Sequence, residues 1–168
     1  VEDSAFPSHP GVDPSAILAS ARANLAAGRI VRGGSTITMQ VARNYFLSRE
    51  KTYTRKIKEA LLAFKLEREL SKNEILELYV NKIFLGHRSF GFQAAAAFYY
   101  NKPLAELTLA QLAMLAGLPK APSSINPVSN PTRALERRNY VLRRMQGLNL
   151  IDNACLLYTS PSPRDGLL

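Results

Sequence analysis

Residues 52–82 read TYTRKIKEALLAFKLERELSKNEILELYVNK. No Gly or Pro interrupts this run. Ile57, Leu61 and Phe64 recur at helical spacing, which predicts a helix from about Thr52 to Leu70. Ser71 and Glu74 then form a capping-box pattern, in which a hydroxyl and a carboxylate each satisfy a backbone N–H at a helix start. The next helix carries Ile75, Leu76, Tyr79 and Val80, with Gly86 as its expected stop.

The same grammar extends in both directions. Asp13-Pro14 supplies an N-cap and a first-turn proline, and an Ala-rich stretch runs to Gly28. Ser35 or Thr36 caps a helix through Phe46. Phe92 to Tyr100 predicts a short buried helix, and Thr108 with Gln111 a second capping box ahead of a helix to Ala116. Pro119, Pro122 and Pro127 mark an irregular connection. Asn130-Pro131 opens a last helix ending near Gly147. Leu135, Leu142 and Met145 share one of its faces; Arg133, Arg137, Arg143 and Arg144 form another. Strand-like alternation never exceeds a few residues, and no internal repeat is present. The fold class is all-α. Residues 1–152 are expected to form the domain. Residues 153–168, with Tyr158-Thr159-Ser160-Pro161-Ser162-Pro163, fit nothing before them and are expected to be a disordered or foreign tail.

A chain of 168 residues and 18.6 kDa is long enough for one cored domain. With 46% hydrophobic and 21% charged residues it is not generally disordered. No apolar run approaches the ~18 residues of a membrane-spanning helix. The formal charge of +9 and pI near 9.9 point to an anionic partner: nucleic acid, lipid headgroups or a phosphorylated substrate. Cys155 is the single cysteine, so there is no internal disulfide and no CxxC metal pair. His9 and His87 are too far apart in sequence to suggest a zinc site.

Three segments hold residue types suited to chemistry, each with an ordinary structural alternative. Glu2 and Asp3 lead through Phe6 and His9 into a capped helix. They suit a catalytic loop, though paired acids are more often solvated surface. Gly33-Gly34-Ser35-Thr36 precedes a helix whose free N–H groups favour an anion, with Gln40 and Arg43 on later turns; the alternative is a plain loop and cap. The segment lacks the P-loop pattern. Lys51, Arg55, Lys56 and Glu59 cluster, with Lys56 and Glu59 on one helix face, and suit a pyrophosphate; the alternative is a solvated basic face.

The order and wording of these segments resemble the peptidoglycan glycosyltransferase domain, glycosyltransferase family 51. The family's opening motif stands as Glu2, Asp3, Phe6, His9 and Gly11. Its second is Gly33 to Gln40, its third Arg55, Lys56 and Glu59, and its fourth Ile75, Leu76, Glu77, Tyr79 and Asn81. The runs Gly91–Lys102 and Ala116–Pro122 also match. The resemblance covers residues 1 to about 150 and implies a lysozyme-like helical fold. It implies transfer of a growing glycan from a polyprenyl pyrophosphate to the GlcNAc 4-hydroxyl of lipid II, with inversion. By resemblance Glu2 is the base and Glu59 the second carboxylate, placed near the pyrophosphate, with Mg²⁺ as its divalent partner. Lys56, Arg43 and Lys51 meet the pyrophosphate charge, Ser35 and Gln40 hydrogen-bond beside them, and Asp3 and Arg55 give support. The family further implies a membrane surface, a preceding anchor, a following transpeptidase domain and a place on the periplasmic face of the bacterial inner membrane. The chain starts at Val1, one residue ahead of the base, and is expected to be a fragment lacking that anchor.

Met39 stands where the family has Gln, Arg43 where Lys is usual, and Asn101 where Gly precedes Lys102. Two other readings compete. One is a glycan hydrolase on the same scaffold, which does not need pyrophosphate-binding cations. The other is a basic module using the arginine face of the last helix, for which no nucleic-acid motif is present, so no nucleic-acid partner is expected.

Overall fold

A computed structural model describes residues 2–29, 31, 33–47 and 52–159. Its elements are helical, as expected; among the described residues the extended pairing is a single antiparallel bridge, Phe84 with Phe90. The chain divides into two units, Glu2–Lys82 and the described residues from Ile83 onward.

The first unit holds α1 (Pro14–Ala27), α2 (Ile37–Phe46), α3 (Tyr53–Glu69) and α4 (Lys72–Lys82). Each start is chemically marked. Asp13 accepts from the N–H groups of Ser15 and Ala16, Thr36 from Met39, and Thr52 from Arg55. Ser71 and Glu74 bond reciprocally at α4. Gly28 ends α1 in the left-handed conformation. α2 packs on both α3 and α4. Ala42 and Ala63 are fully buried, and the small side chains allow close helix approach. Val12, Met39 and Ala63 form one apolar cluster, which accounts for Met where an amide is usual.

The helix predicted from the spacing of Ile57, Leu61 and Phe64 is present as α3, but those residues do not form its buried face. Ile57, Leu61 and Phe64 are exposed, together with Tyr53. The buried face is Glu59 and Ala63, because small and ion-paired residues let α2 sit close. α4 stops at Lys82, short of the expected Gly86.

In the second unit, Gly91 N–H bonds the Ile83 carbonyl at 2.8 Å and Leu85 N–H bonds the Ser89 carbonyl at 2.9 Å, folding residues 83–91 into a tight return. This pairing takes backbone groups that a longer helix would use. α5 (Phe92–Tyr100), α6 (Leu109–Gly117), α7 (Pro131–Gly147) and α8 (Asn153–Thr159) follow. Asn101 closes α5 at φ 51°, the left-handed position where Gly is usual and Asn is the best-tolerated substitute. α6 packs on α7 through Ala113, Val141 and Leu142. Fully burying Leu142 contributes about 1.5–3 kcal/mol. Ile151 and Leu156 pack against the same cluster. The expectation of a structureless tail from residue 153 is therefore corrected for Asn153–Thr159, which form α8 because Leu156 finds apolar cover. The remainder of that tail, from residue 160, lies outside the described residues.

Gly86 has φ 89°, and a Cβ there would stand 2.4 Å from the Pro122 carbonyl oxygen. Tyr99 crowds the same spot; its hydroxyl donates to the Leu85 carbonyl at 2.9 Å, and burial pushes its pKa up to about 12. Gly86→Ala is expected to lower stability by about 3 kcal/mol through strain and clash, read from denaturant midpoints.

Candidate active site

The loop from Glu2 to Val12 is built around Asp3 and His9, both buried at the side chain. Gly11 N–H donates to His9 Nδ1 at 3.0 Å, so that nitrogen carries no proton. Nε2 then bears the hydrogen and donates to Asp3 Oδ2 at 2.8 Å. The same Asp3 oxygen accepts Ile37 N–H at 2.9 Å. The N-terminus of α2, read from sequence as open to an external anion, is therefore met by the chain's own carboxylate. Thr36 Oγ1 donates to the Gly11 carbonyl at 2.6 Å, pinning the other end of the loop to the same helix start.

Lys72 secures the loop from beneath. Its Nζ donates to the His9 carbonyl at 2.6 Å and to Glu67 Oε1 at 2.8 Å, and lies 4.7 Å from the centre of the buried Phe6 ring. Glu67 Oε1 also accepts from Thr38 Oγ1 at 2.6 Å. Gly11, at φ 103°, rests its backbone against α3: a Cβ would be 2.8 Å from the Ala63 carbonyl.

The third motif makes a cation site. Glu59 is fully buried on α3. Arg55 Nη1 bonds its Oε1, and Lys56 Nζ bonds its Oε2 at 2.7 Å. Lys56 also donates to Ser35 Oγ at 2.7 Å, which joins the second and third motifs. The Lys56 side chain remains 42% exposed. Among the described residues its third N–H and the Ser35 hydroxyl proton have no further partner, and both suit an anion from solvent.

The structure thus brings Ser35, Arg55, Lys56 and Glu59 into one cluster. Glu2 and Asp3 lie on the pinned loop, half-buried as residues. Arg43 and Gln40 are half-buried on α2. Glu2, Asp3 and Arg43 act electrostatically on a common neighbour, Tyr79. Lys51 lies outside the described residues. Lys72, Glu67 and Thr38 were missed by sequence reasoning: nothing in the spacing links Lys72 to a carbonyl at residue 9. Tyr79 was read as an apolar position of α4 and as part of the fourth motif, without a role.

The surroundings of Glu59 do not fit Mg²⁺ bound directly to it. Both carboxylate oxygens already face cations, the group is shut off from water, and no group of three potential metal ligands occurs among the described residues.

The transglycosylase family model matches residues 1–146. The chain belongs to the transglycosylase family. It is 58% identical over 151 residues to penicillin-binding protein 1A of Pseudomonas aeruginosa and 56% identical over 144 residues to that of Neisseria cinerea. These alignments cover 90% and 86% of the chain, which spans 18% of the length of each relative. Among solved structures, penicillin-binding protein 1A from Haemophilus influenzae matches with a TM-score of 0.52 and 38% identity, covering 76% of this chain and 16% of that one. The expected lysozyme-like helical fold agrees with this match.

Asp3→Ala removes the acceptor for both Ile37 and His9. It is expected to cost about 2–4 kcal/mol, read by urea denaturation, because both lost bonds involve a charged acceptor. Millimolar Mg²⁺ is expected to leave the melting temperature of the free chain unchanged; a saturable rise abolished by Glu59→Gln would restore the metal site.

Proposed function

We propose that the chain is a peptidoglycan glycosyltransferase that polymerises lipid II. The observation carrying this reading is Lys56, held between Glu59 and Ser35 with its ammonium open to solvent. A pyrophosphate leaving group needs such a preorganised cation. In the step, the GlcNAc 4-hydroxyl oxygen of the acceptor attacks the anomeric carbon of the polyprenyl-pyrophosphate donor. The bond from that carbon to the pyrophosphate oxygen breaks, and its electron pair stays on the pyrophosphate. The hydroxyl proton passes to Glu2, and configuration inverts to a β-1,4 link. Lys56, Ser35 and Arg43 receive the growing negative charge, with Gln40 and Lys51 as further ligands. Arg55 and Glu59 hold Lys56 in place. Any Mg²⁺ enters with the pyrophosphate, as part of the substrate.

The same reading places the chain at the periplasmic face of the inner membrane, beside a transpeptidase domain in the whole protein. No helix among the described residues is long and apolar enough to cross a membrane. An exposed apolar stripe on α3, Tyr53, Ile57, Leu61 and Phe64, lies beside the exposed Lys58 and Lys65, a combination suited to an anionic lipid surface. A hydrolase reading is not favoured, since it leaves the Lys56 site without a role.

The chain is to be incubated with labelled lipid II and Mg²⁺ and its products resolved by size. Polymer is expected, and Glu2→Gln is expected to slow its formation by about a hundredfold to ten-thousandfold. A folded wild-type chain that makes no polymer would overturn this reading, as would full activity in Glu2→Gln.

A further inference from the structure

His9 is the hub of the loop that carries Glu2. Its N–H donates to the Ala5 carbonyl at 3.1 Å, its Nδ1 accepts Gly11 N–H at 3.0 Å, and its Nε2 donates to Asp3 at 2.8 Å. These partners belong to the loop and travel with it. The His9 carbonyl differs, since it accepts from Lys72 Nζ on α4 at 2.6 Å. Lys72 reaches His9 from a second side as well. Its ammonium lies 4.7 Å from the centre of the Phe6 ring, and that ring meets the His9 imidazole edge to face at 6.0 Å. Glu67 holds the ammonium in place, its Oε1 accepting from Lys72 at 2.8 Å and from Thr38 at 2.6 Å. Two further bonds tie the loop to the helices, from Ile37 N–H to Asp3 and from Thr36 Oγ1 to the Gly11 carbonyl. Both come from adjacent residues at the start of α2. Two attachments so placed leave the loop an axis to turn about, and a third from a different helix restrains that turn.

We propose that Lys72 is a positioning residue for the base Glu2, holding the loop against rotation about the start of α2. Asp3 hangs on the His9 ring and is the neighbour of Glu2 in the chain. A shift at His9 therefore reaches the base through one side-chain bond and one peptide unit. A carboxylate that takes a proton must lie within hydrogen-bond reach of the acceptor hydroxyl, and misplacement by about 1 Å slows such a step about a hundredfold. Lys72 touches no reacting atom in this role; it acts through His9 and Asp3. The inference rests on the glycosyltransferase reading for its kinetic consequence, but not for its hold on the loop.

Lys72→Met keeps an unbranched stem and removes the ammonium. With lipid II as substrate, at a temperature where every variant is folded, kcat is expected to fall about tenfold to a hundredfold, with KM changed less than about twofold. The same change leaves the Glu67 carboxylate without its cation, so the melting temperature is expected to fall. Lys72→Met combined with Glu67→Gln removes that unpaired charge. The pair is expected to regain much of the melting temperature and none of the kcat, and it replaces Lys72→Met should the single variant fail to fold. In parallel, amide hydrogen exchange is to be measured on the free chain. Gly11 and Ile37, whose N–H groups bond His9 and Asp3, are expected to exchange at least about tenfold faster in the double variant. Leu70, bonded to the Leu66 carbonyl in α3, serves as the unchanged reference. Faster exchange at both loop-bonded amides supports the hold on the loop even when the wild-type chain makes no polymer, so the two readings fail separately. Unchanged exchange at either amide would overturn the assignment, as would a folded variant with wild-type kcat or a raised KM with kcat kept. Recovery of kcat together with the melting temperature in the double variant would overturn it too.

Discussion

The Lys72 ammonium meets a loop carbonyl, a carboxylate on α3 and the face of an aromatic ring, while growing from the first residue of α4. A cation at a helix N-terminus is opposed by the helix dipole, typically by about 0.3–1 kcal/mol. Hydrogen bonds from a charged donor contribute about 1.5–3 kcal/mol each, so two of them outweigh that opposition. Lys72 thus has a net reason to point back over its own helix start. Its reach determines where the Glu2 loop lies on the first unit, and through Glu67 and Thr38 it ties that placement to α2 and α3.

Glu59 shows the complementary arrangement, an anion that the solvent never sees. An isolated carboxylate in that position would be strongly disfavoured, and its two cations make it tolerable. A buried ion pair is in general weak evidence of stabilisation, which weighs against a purely stabilising role. Its effect is directional. Glu59 draws Lys56 toward the interior, where Ser35 also holds it, and so leaves one flank of the ammonium toward solvent at a fixed height.

The local grammar was legible because it is local. Asp13, Thr36, Thr52, Ser71, Thr108 and Asn130 each stand two or three residues from the N–H groups that they cap. Motif wording likewise pointed to Ser35, Lys56 and Glu59 before any geometry was known. What failed was what depends on distant partners. Spacing on α3 showed the period but not the buried side, because Ala63 and an ion-paired Glu59 make a better seat for α2 than Ile57 and Leu61 do. Gly86 read as a helix stop, whereas its actual use is a tight return set by Ser89 and Gly91. The last helix, α8, was invisible because Leu156 gains its cover from α6 and α7.

Gly11 has its φ at 103° and its α-carbon so near the Ala63 carbonyl that no methyl group fits between them. Main chain therefore rests on main chain, one helical turn beyond Glu59. The elevation of the loop above α3 is set by backbone thickness, which no substitution alters, and not by the girth of interchangeable side chains. A side chain inserted at position 11 would act like a shim, lifting the Glu2 loop off its seat on α3 and pressing on the Glu67 side chain beside it.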